Sequence, residues 1–390
     1  MGQNQPLELS EGEKKEPSPS NTGESIRKLA YECIYQVMVQ DFKLFLETAG
    51  AQKVLSAYQP MGEYAGHATA RNFLNKLELK GNGADIIAIP IYAFVNNLLD
   101  CSCDPIEIRE RGVEVRMTSC YVSKVGAPPE YCIAVTHNVG KGIIKEINPE
   151  FEIVFTHHLT QGDPYCRYVV KRRLDRIGDT NNLGNLLRVL PPIELPESEK
   201  EALTTSYSCS IWMNIIRAMI EVLGSEETIA LIDGPSRLKG EEFGNGAKKQ
   251  LCIENAGARD AELVIEVLGS ALGQDYKRLD NSPQIVRTEI EGCVLVDGPI
   301  EACKQFELLA DGICKSINPN LEFIYNKMRT KGDKTCHWTI RKKREAEKEK
   351  AKEVLPSDDP IKMLTTMYIK GEITEEEFRK KLAVLKELKL

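Results

Sequence analysis

The chain has 390 residues, of which 42% are hydrophobic and 28% charged, and its formal net charge is -7. This is the composition of an ordinary globular protein, with enough residues for two or three domains. The acidic balance argues against general nucleic-acid binding, which requires a basic surface.

The first 24 residues are polar and are predicted to form a disordered tail. They lack the apolar stretch of a signal peptide. The longest apolar run, 84–99, is interrupted by Asp, Pro and Asn and is too short to span a bilayer. We therefore expect a cytoplasmic protein without a membrane span, in which most of the twelve cysteines are reduced and buried.

Several segments of the first half of the chain recur, in the same order, in the second half. The segment KEINPEFEIVF (145–155) returns as KSINPNLEFIY (315–325). The hairpin FTHHLTQGDPYCRYVV (155–170) returns as YNKMRTKGDKTCHWTI (325–340). Shorter matches upstream pair APPEYC with GPIEAC and TSCYV with EGCVLV. The common order predicts a tandem duplication.

The duplication divides the chain into consecutive regions. The first copy is predicted to span 25–175 and the second 200–343, with a proline-rich linker over 176–199 between them. A charged helical linker over 344–358 then leads to a final segment, 359–390. Each copy begins with apolar residues at helical spacing and continues with short strand-like segments around one further helix. The sequence therefore predicts an α+β fold: two tandem helix-rich domains, each with a small antiparallel sheet, and a C-terminal two-helix module.

The C-terminal segment has clear helix signals. Thr374 and Glu377 form a capping box, and Gly371 ends the preceding helix. Two helices of this length bury too little apolar surface to be stable alone. We therefore expect them to bind a protein partner or a second copy of the chain. The segment resembles the short C-terminal domain (SHOCT), a family regarded as a small interaction module.

The first hairpin carries the candidate metal ligands. Strand pairing about Gly162 places His158 opposite Cys166, with Cβ atoms about 4.5–5.5 Å apart. His157 then points to the opposite face of the strand. Cys132, on the helix ahead of the hairpin, is a third candidate, since zinc binds Cys sulfur and His nitrogen and a catalytic zinc keeps one position for water. The alternative is that Cys132 is a core residue and His158 caps a solvent-facing hairpin.

The order of cysteine, strand and GDPYC hairpin resembles the 4-vinyl reductase domain of bacteriochlorophyll-synthesis proteins and phenol-sensing regulators. The duplicated unit as a whole, about 25–343, also resembles L-2-amino-thiazoline-4-carboxylic acid hydrolases. In the phenol sensors a zinc lies between cysteines and a glutamate, beside an apolar pocket for the aromatic ligand. The resemblance places the first and last cysteines of that set at Cys132 and Cys166, and the middle one at His158.

The same resemblance places the glutamate at Phe155, which cannot bind a metal, so Glu152, His157 or water would have to complete the site. In the second copy Met328 stands where the first has His158, and a thioether with a thiolate is a poor zinc pair. The metal is therefore predicted in the first copy alone.

His67 is a candidate for cofactor binding because it lies among small residues, where a ligand could approach the backbone. The alternative is a buried, hydrogen-bonded histidine. Its segment GEYAGHATARNF (62–73) has a looser counterpart in GEEFGNGAKKQL (240–251), which places Asn245 at the equivalent position.

These features predict a protein that binds a small aromatic or heterocyclic molecule beside a zinc in the first copy. In the hydrolase version the metal activates a water that breaks a ring C–N bond, with Glu130 or Glu152 as the general base. The alternative is a non-catalytic sensor or carrier of an aromatic molecule or a tetrapyrrole, haem included, that signals through the C-terminal helices. A third possibility is an assembly protein without a ligand.

Overall fold

The computed structural model describes residues 19–98, 101–173, 183–191, 193–254, 256–281 and 285–343. The C-terminal linker and the two-helix module lie outside the described residues, as do most of the expected N-terminal tail and part of the linker between the copies. The first helix begins at Pro19, inside the segment expected to be a disordered tail.

The fold is α+β, as predicted, with long helices and two small antiparallel sheets. The helices of the first unit are α1 Pro19–Ala49, α2 Ala51–Lys76, α3 Ala84–Asn96, α4 Tyr121–Lys124, α5 Pro129–Cys132 and α6 Asn138–Ile147, with a π-helical turn over Ile133–His137 and a 3-10 turn over Leu159–Gln161. Its strands are β1 Ser102–Cys103, β2 Ile106–Arg109, β3 Gly112–Ser119, β4 Phe151–His157, β5 Cys166–Arg172 and β6 Leu186–Leu190.

The second unit repeats this order with fewer elements. Its helices are α7 Glu197–Leu223, α8 Ser225–Gln250, α9 Ala258–Ser270 and α10 Ile300–Ile317, with 3-10 turns over Val294–Asp297 and Arg329–Lys331. Its strands are β7 Asp275–Asn281, β8 Ile285–Gly292, β9 Leu321–Lys327 and β10 Cys336–Lys342. The first sheet has the order β4-β5-β3-β2-β6, with β1 also paired to β3, and the second has the order β7-β8-β10-β9.

Matching glycines stand at matching turns of the two units. Gly50 (φ 82°) and Gly224 (φ 90°) join the first two helices of their units, and Gly162 (φ 91°) and Gly332 (φ 94°) close the two hairpins. A positive φ is accessible to glycine without steric cost. These turns agree with the predicted duplication, which itself stays an inference from the sequence.

A close helix crossing aligns the long helices of the two units. A Cβ on Gly142 would lie 2.0 Å from the carbonyl oxygen of Glu63, and a Cβ on Gly312 would lie 2.0 Å from that of Arg237. Glu63 and Arg237 therefore occupy equivalent positions, and three residues further along each helix Gly66 corresponds to Gly240. The sequence comparison pairs Gly62 with Gly240 instead. By the structural alignment the counterpart of His67 is Glu241, and the equivalence with Asn245 expected from the sequence is wrong.

The first helices of the two units lie between them and pack across the boundary. Helix α1 packs chiefly against α8, and α7 packs chiefly against α2. One apolar core contains Phe42 and Phe45 of α1 together with buried residues of α7 to α10. A buried hydrogen bond, 2.7 Å from Gln305 Nε2 on α10 to Asp41 Oδ2 on α1, crosses the same boundary. A second core, which includes α3, α6 and the first sheet, lies mainly in the first unit.

Among the described residues, none of the helices combines the length and the apolar character that a membrane crossing requires.

Candidate functional site

The predicted site begins at the β4–β5 hairpin, where the strand pairing has the expected register at the hairpin tip and is shifted by one residue further along the strand. Phe155 pairs with Tyr168 and His157 pairs with Arg167, which leaves Thr156 as a β-bulge. His158 has left the strand and precedes the 3-10 turn. The β4–β5 pairing ends at His157 and Arg167, so the expected pairing of His158 with Cys166 within the sheet is not formed, and Cys166 pairs with Met117 on β3. His157 and Arg167 pair in the expected register, and the next pair is missing because the chain leaves the strand at His158, whose backbone N–H turns to Asp163.

The cysteines and the hairpin tip are held together by ordinary hydrogen bonds. The backbone N–H of His158 donates to Asp163 Oδ2 (2.7 Å), and that of Leu159 donates to Cys166 Sγ (3.2 Å). Cys132 Sγ lies 3.5 Å from Thr160 Oγ1.

The second hairpin makes the same three contacts. The backbone N–H of Met328 donates to Asp333 (2.8 Å), that of Arg329 donates to Cys336 Sγ (3.2 Å), and Thr330 lies 3.5 Å from Cys303. Since a methionine replaces the histidine there, these contacts belong to the hairpin and do not depend on a metal.

The arrangement does not fit the zinc set predicted from the resemblance. Within the described part of the chain, no three His, Cys, Asp or Glu side chains form a group that could hold a metal ion. Burial raises the pKa of Cys132 to about 12 and that of Cys166 to about 11, so both are thiols at neutral pH. A metal bound here would have to displace both protons, since ligation requires the thiolate. The position of the family's glutamate holds Phe155, whose ring is already packed.

The ring packed on Phe155 belongs to His137, a residue that the sequence analysis did not select. The two ring centroids are 3.6 Å apart with an interplanar angle of 13°, and the centroid of His158 is 5.1 Å from that of His137. Nε2 of His137 is buried and has no hydrogen-bond partner among the described residues. Burial, reinforced by His158, lowers the pKa of His137 to about 3, so the imidazole is neutral.

His137 owes its position to the π-helical turn. Cys132 and Gly142 are ten residues apart, whereas their counterparts Cys303 and Gly312 are nine apart. The one additional residue is accommodated by the π-helix over Ile133–His137, where the second unit has an uninterrupted α10. Such bulges are frequent at functional sites. The difference in spacing was the sequence signal that could have identified this segment.

Three tyrosine hydroxyls of the first unit are, like Nε2 of His137, buried without a partner in the described part of the chain. The hydroxyls of Tyr92 on α3, Tyr131 on α5 and Tyr168 on β5 are buried without a hydrogen-bond partner among the described residues. Burial raises all three pKa values, that of Tyr92 to about 12. An unsatisfied buried hydroxyl costs about 1–3 kcal/mol, and native proteins contain few of them. Tyr92 and Tyr168 lie in one core, and Phe155 packs against both Tyr168 and His137, so these three unpartnered groups could serve one polar partner, while Tyr131 belongs to the other core.

The second unit has a cluster of aromatic rings in the corresponding region. Trp338 stands two residues after Cys336, as Tyr168 does after Cys166. Its ring lies 6.0 Å from Phe306, 5.3 Å from Phe323 and 5.2 Å from Tyr276, measured between centroids. The indole nitrogen of Trp338 also lacks a partner among the described residues. The two units therefore differ in how this region is packed: hydroxyls and imidazoles in the first, mainly carbon rings in the second.

The remaining predicted residues lie elsewhere. Glu152 faces away from the core, 3.3 Å from Lys171 Nζ, and His157 lies on that same outer face of the sheet. Nδ1 of His67 is 2.8 Å from Glu146 Oε2, so His67 is a partly buried, hydrogen-bonded histidine. Glu130 stands in the first turn of α5, two residues before Cys132.

No family model, curated protein or solved structure matches the chain.

Proposed function

We propose that the interior of the first unit binds a small aromatic or heterocyclic molecule. The observation that carries the proposal is that the buried polar atoms of Tyr92, Tyr168 and His137, with Phe155 packed against the last two, have no hydrogen-bond partner among the described residues. Each is the polar tip of a flat ring, so a planar ligand could stack between the rings and accept or donate hydrogen bonds at their edges. The aromatic packing of the second unit supports the first unit as the binding copy.

The geometry favours a sensor or carrier over a hydrolase. A general base needs a pKa near the working pH, whereas the pKa of His137 is about 3. Of the two carboxylates proposed as bases, Glu152 faces the opposite side of the sheet and pairs with Lys171. A neutral His137 is suited to hydrogen bonding with a ligand.

Metal-assisted hydrolysis of a ring C–N bond is the second candidate. It is supported by the location of Cys132, His158 and Cys166 around one hairpin tip, although the three do not form a metal-binding group in this arrangement. The test is whether the purified chain converts a thiazoline carboxylate to the ring-opened product.

The twelve cysteines are all free, which supports the proposal of a reducing, cytoplasmic location. The C-terminal helices are proposed to carry the interaction with a partner or a second copy. They lie outside the described residues, and the support for this role is their sequence.

The binding proposal is tested by ligand-induced shifts in melting temperature. The full chain is heated with phenols, with thiazoline carboxylates and with a tetrapyrrole, and an absorption spectrum of the untreated protein reports any tetrapyrrole already bound. Tyr168→Trp introduces the residue of the second unit and should abolish the shift caused by the ligand. Trp338→Phe is the matched control, which should lower the melting temperature and preserve the shift. Equal shifts in both variants would remove the interior site from consideration.

A further inference from the structure

A cavity of about 310 Å³ lies on the outer face of the first sheet. It is lined by Arg109, Glu114, Arg116, His157, Tyr165 and Arg167, and the loop at Leu183 and Gly184 borders it. The sheet strands alternate, so these side chains point away from the core that contains Val113, Val115 and Tyr168. The cavity is therefore separated from the interior site by the sheet itself.

The described side chains that line the cavity carry more positive than negative charge. Arg116 and Arg167 are direct cross-strand partners, an arrangement of like charges that destabilises a sheet. Glu114 is the carboxylate that both arginines share, 2.8 Å from Arg116 Nη2 and 2.7 Å from Arg167 Nη2. Arg109 pairs with Glu107, which does not line the cavity. Among the described residues that line the cavity there are thus three guanidinium groups and one carboxylate.

The corresponding positions of the second sheet lack this surplus. His337, the residue after Cys336, pairs across the strands with Glu289, and their side chains are 3.4 Å apart. A histidine and a glutamate thus stand where the first sheet has Arg167 and Arg116. Because the two sheets otherwise share this part of their topology, the arginine pair is not a requirement of the fold.

The arginines differ in exposure in a way that suits a binding site. The side chain of Arg167 is 9% exposed, while that of Arg116 is 41% exposed. Arg116 lies over the ring of Tyr165, 5.6 Å from its centroid, and the same ring is 5.0 Å from that of His157. The bulge at Thr156 positions His157 on this face, and Thr156 Oγ1 accepts a hydrogen bond from Arg167 Nη1 at 3.2 Å. Both guanidiniums are therefore held in place before any ligand arrives.

We propose that this cavity binds a small organic oxyanion, with Arg167 at its base and Arg116 at its mouth. Guanidinium groups recognise carboxylates and phosphates through paired, charge-assisted hydrogen bonds. His157 and Tyr165 add hydrogen-bonding groups on the wall. The volume is at the lower end of the range for small-molecule sites, which fits a single carboxylate or phosphate ester.

The experiment is calorimetric titration of the full chain at constant ionic strength. The probes are succinate and glycerol phosphate, with chloride as the reference anion. Wild type should bind one of the two organic anions at one site per chain, and comparing them separates carboxylate from phosphate recognition. Binding of neither, or of both no better than chloride, would overturn the proposal.

Three variants test whether the charged side chains of the cavity bind the anion. Arg116→Gln should weaken binding about tenfold or more, because one charge-assisted pair is lost. Glu114→Gln should strengthen binding, since it removes the carboxylate that competes for both arginines. Arg287→Gln is the matched control on the second sheet, with a side chain 59% exposed. An equal loss in Arg287→Gln and Arg116→Gln would mean attraction to the whole surface and would overturn the site. Arg116 is partly exposed, so its variant decides the question even if substitution of Arg167 prevents folding.

Discussion

The imidazole of His137 lies flat against the ring of Phe155, with centroids 3.6 Å apart and planes 13° from parallel. This stack connects the π-helix to β4 at the position where the resemblance would place a metal-binding glutamate. The proposed interior site depends on it, because the stack fixes the direction of an unpartnered imidazole nitrogen.

Removing the additional residue of the π-helix should abolish ligand binding without unfolding the protein. Deletion of Thr136 restores the spacing of α10, and one residue rotates the helix by about 100°. His137 would then leave the Phe155 ring. We expect a melting temperature equal to or above that of wild type, together with loss of the ligand-induced shift. His137→Gln, which keeps the helix length, is the comparison; a deletion variant that still binds ligand would contradict the role given to the π-helix.

Removing unpartnered hydroxyls should stabilise the free protein. Tyr168→Phe and Tyr92→Phe should each raise the free energy of unfolding by about 1–3 kcal/mol, because each deletes a buried group without a hydrogen bond. Denaturant unfolding measures the change. Tyr31→Phe is the control, since the hydroxyl of Tyr31 is 2.7 Å from Thr205 Oγ1 and its loss should destabilise. Destabilisation by all three substitutions would show that the interior hydroxyls have partners.

Two buried groups should give opposite pH dependences of stability. Burial raises the pKa of Asp41 from 3.8 to about 7. The free energy of unfolding therefore falls as pH rises from about 4 to 7, because the unfolded state loses its proton first. Burial lowers the pKa of His137 from 6.5 to about 3, so stability is lost as pH falls from 6.5 towards 3. Between about pH 4 and 6.5 the two effects oppose each other.

Substituting either residue should reveal the pH dependence of stability that the other residue contributes. In Asp41→Asn, unfolding free energy should rise with pH, relative to wild type, by about 1.4 kcal/mol per unit between pH 4 and 6.5. In His137→Gln it should fall by a similar amount. Urea unfolding at three pH values in this window measures both slopes. Curves parallel to wild type would mean that neither group titrates abnormally.

The zinc predicted from the resemblance has its own test. If the zinc of the resemblance is bound, elemental analysis of protein purified without chelators would find one zinc per chain, and His158→Ala would remove it. Met328→Ala, the equivalent change in the second unit, should leave the zinc content unchanged. Metal-free wild-type protein would remove zinc from the site, in agreement with the protonated thiols of Cys132 and Cys166.

Truncation tests the C-terminal module. Removing 354–390 should leave the melting temperature of the remaining chain unchanged and weaken self-association or partner binding. Sedimentation at several concentrations measures the association. A large fall in melting temperature would mean that this segment is part of the folded core.

The sequence was sufficient for the class of fold and for the hairpins, and insufficient for the details that decide the site. The Gly-Asp turn at Gly162 and the outward direction of His157 follow from local turn and strand rules. The bulge at Thr156 does not, because a single extra residue shifts the register without any local signature. His137 was missed for a similar reason: its position depends on one additional residue in a helix whose apolar pattern looks regular. The packing of α1 on α8 depends on contacts between segments far apart in the chain.

Helix α1 packs mainly on a helix of the second unit, and α7 on a helix of the first. This arrangement affects the order in which the protein can fold during synthesis. The principal partner of α1 is α8, which begins at Ser225, so the apolar face that carries Phe42 and Phe45 is made long before the helix that covers it. At about 5–20 residues per second, a ribosome needs on the order of ten to forty seconds for the intervening chain. During that interval the first half of the protein cannot complete its core. Its final packing must follow synthesis of the second half, so the two halves are expected to fold as one event rather than in succession.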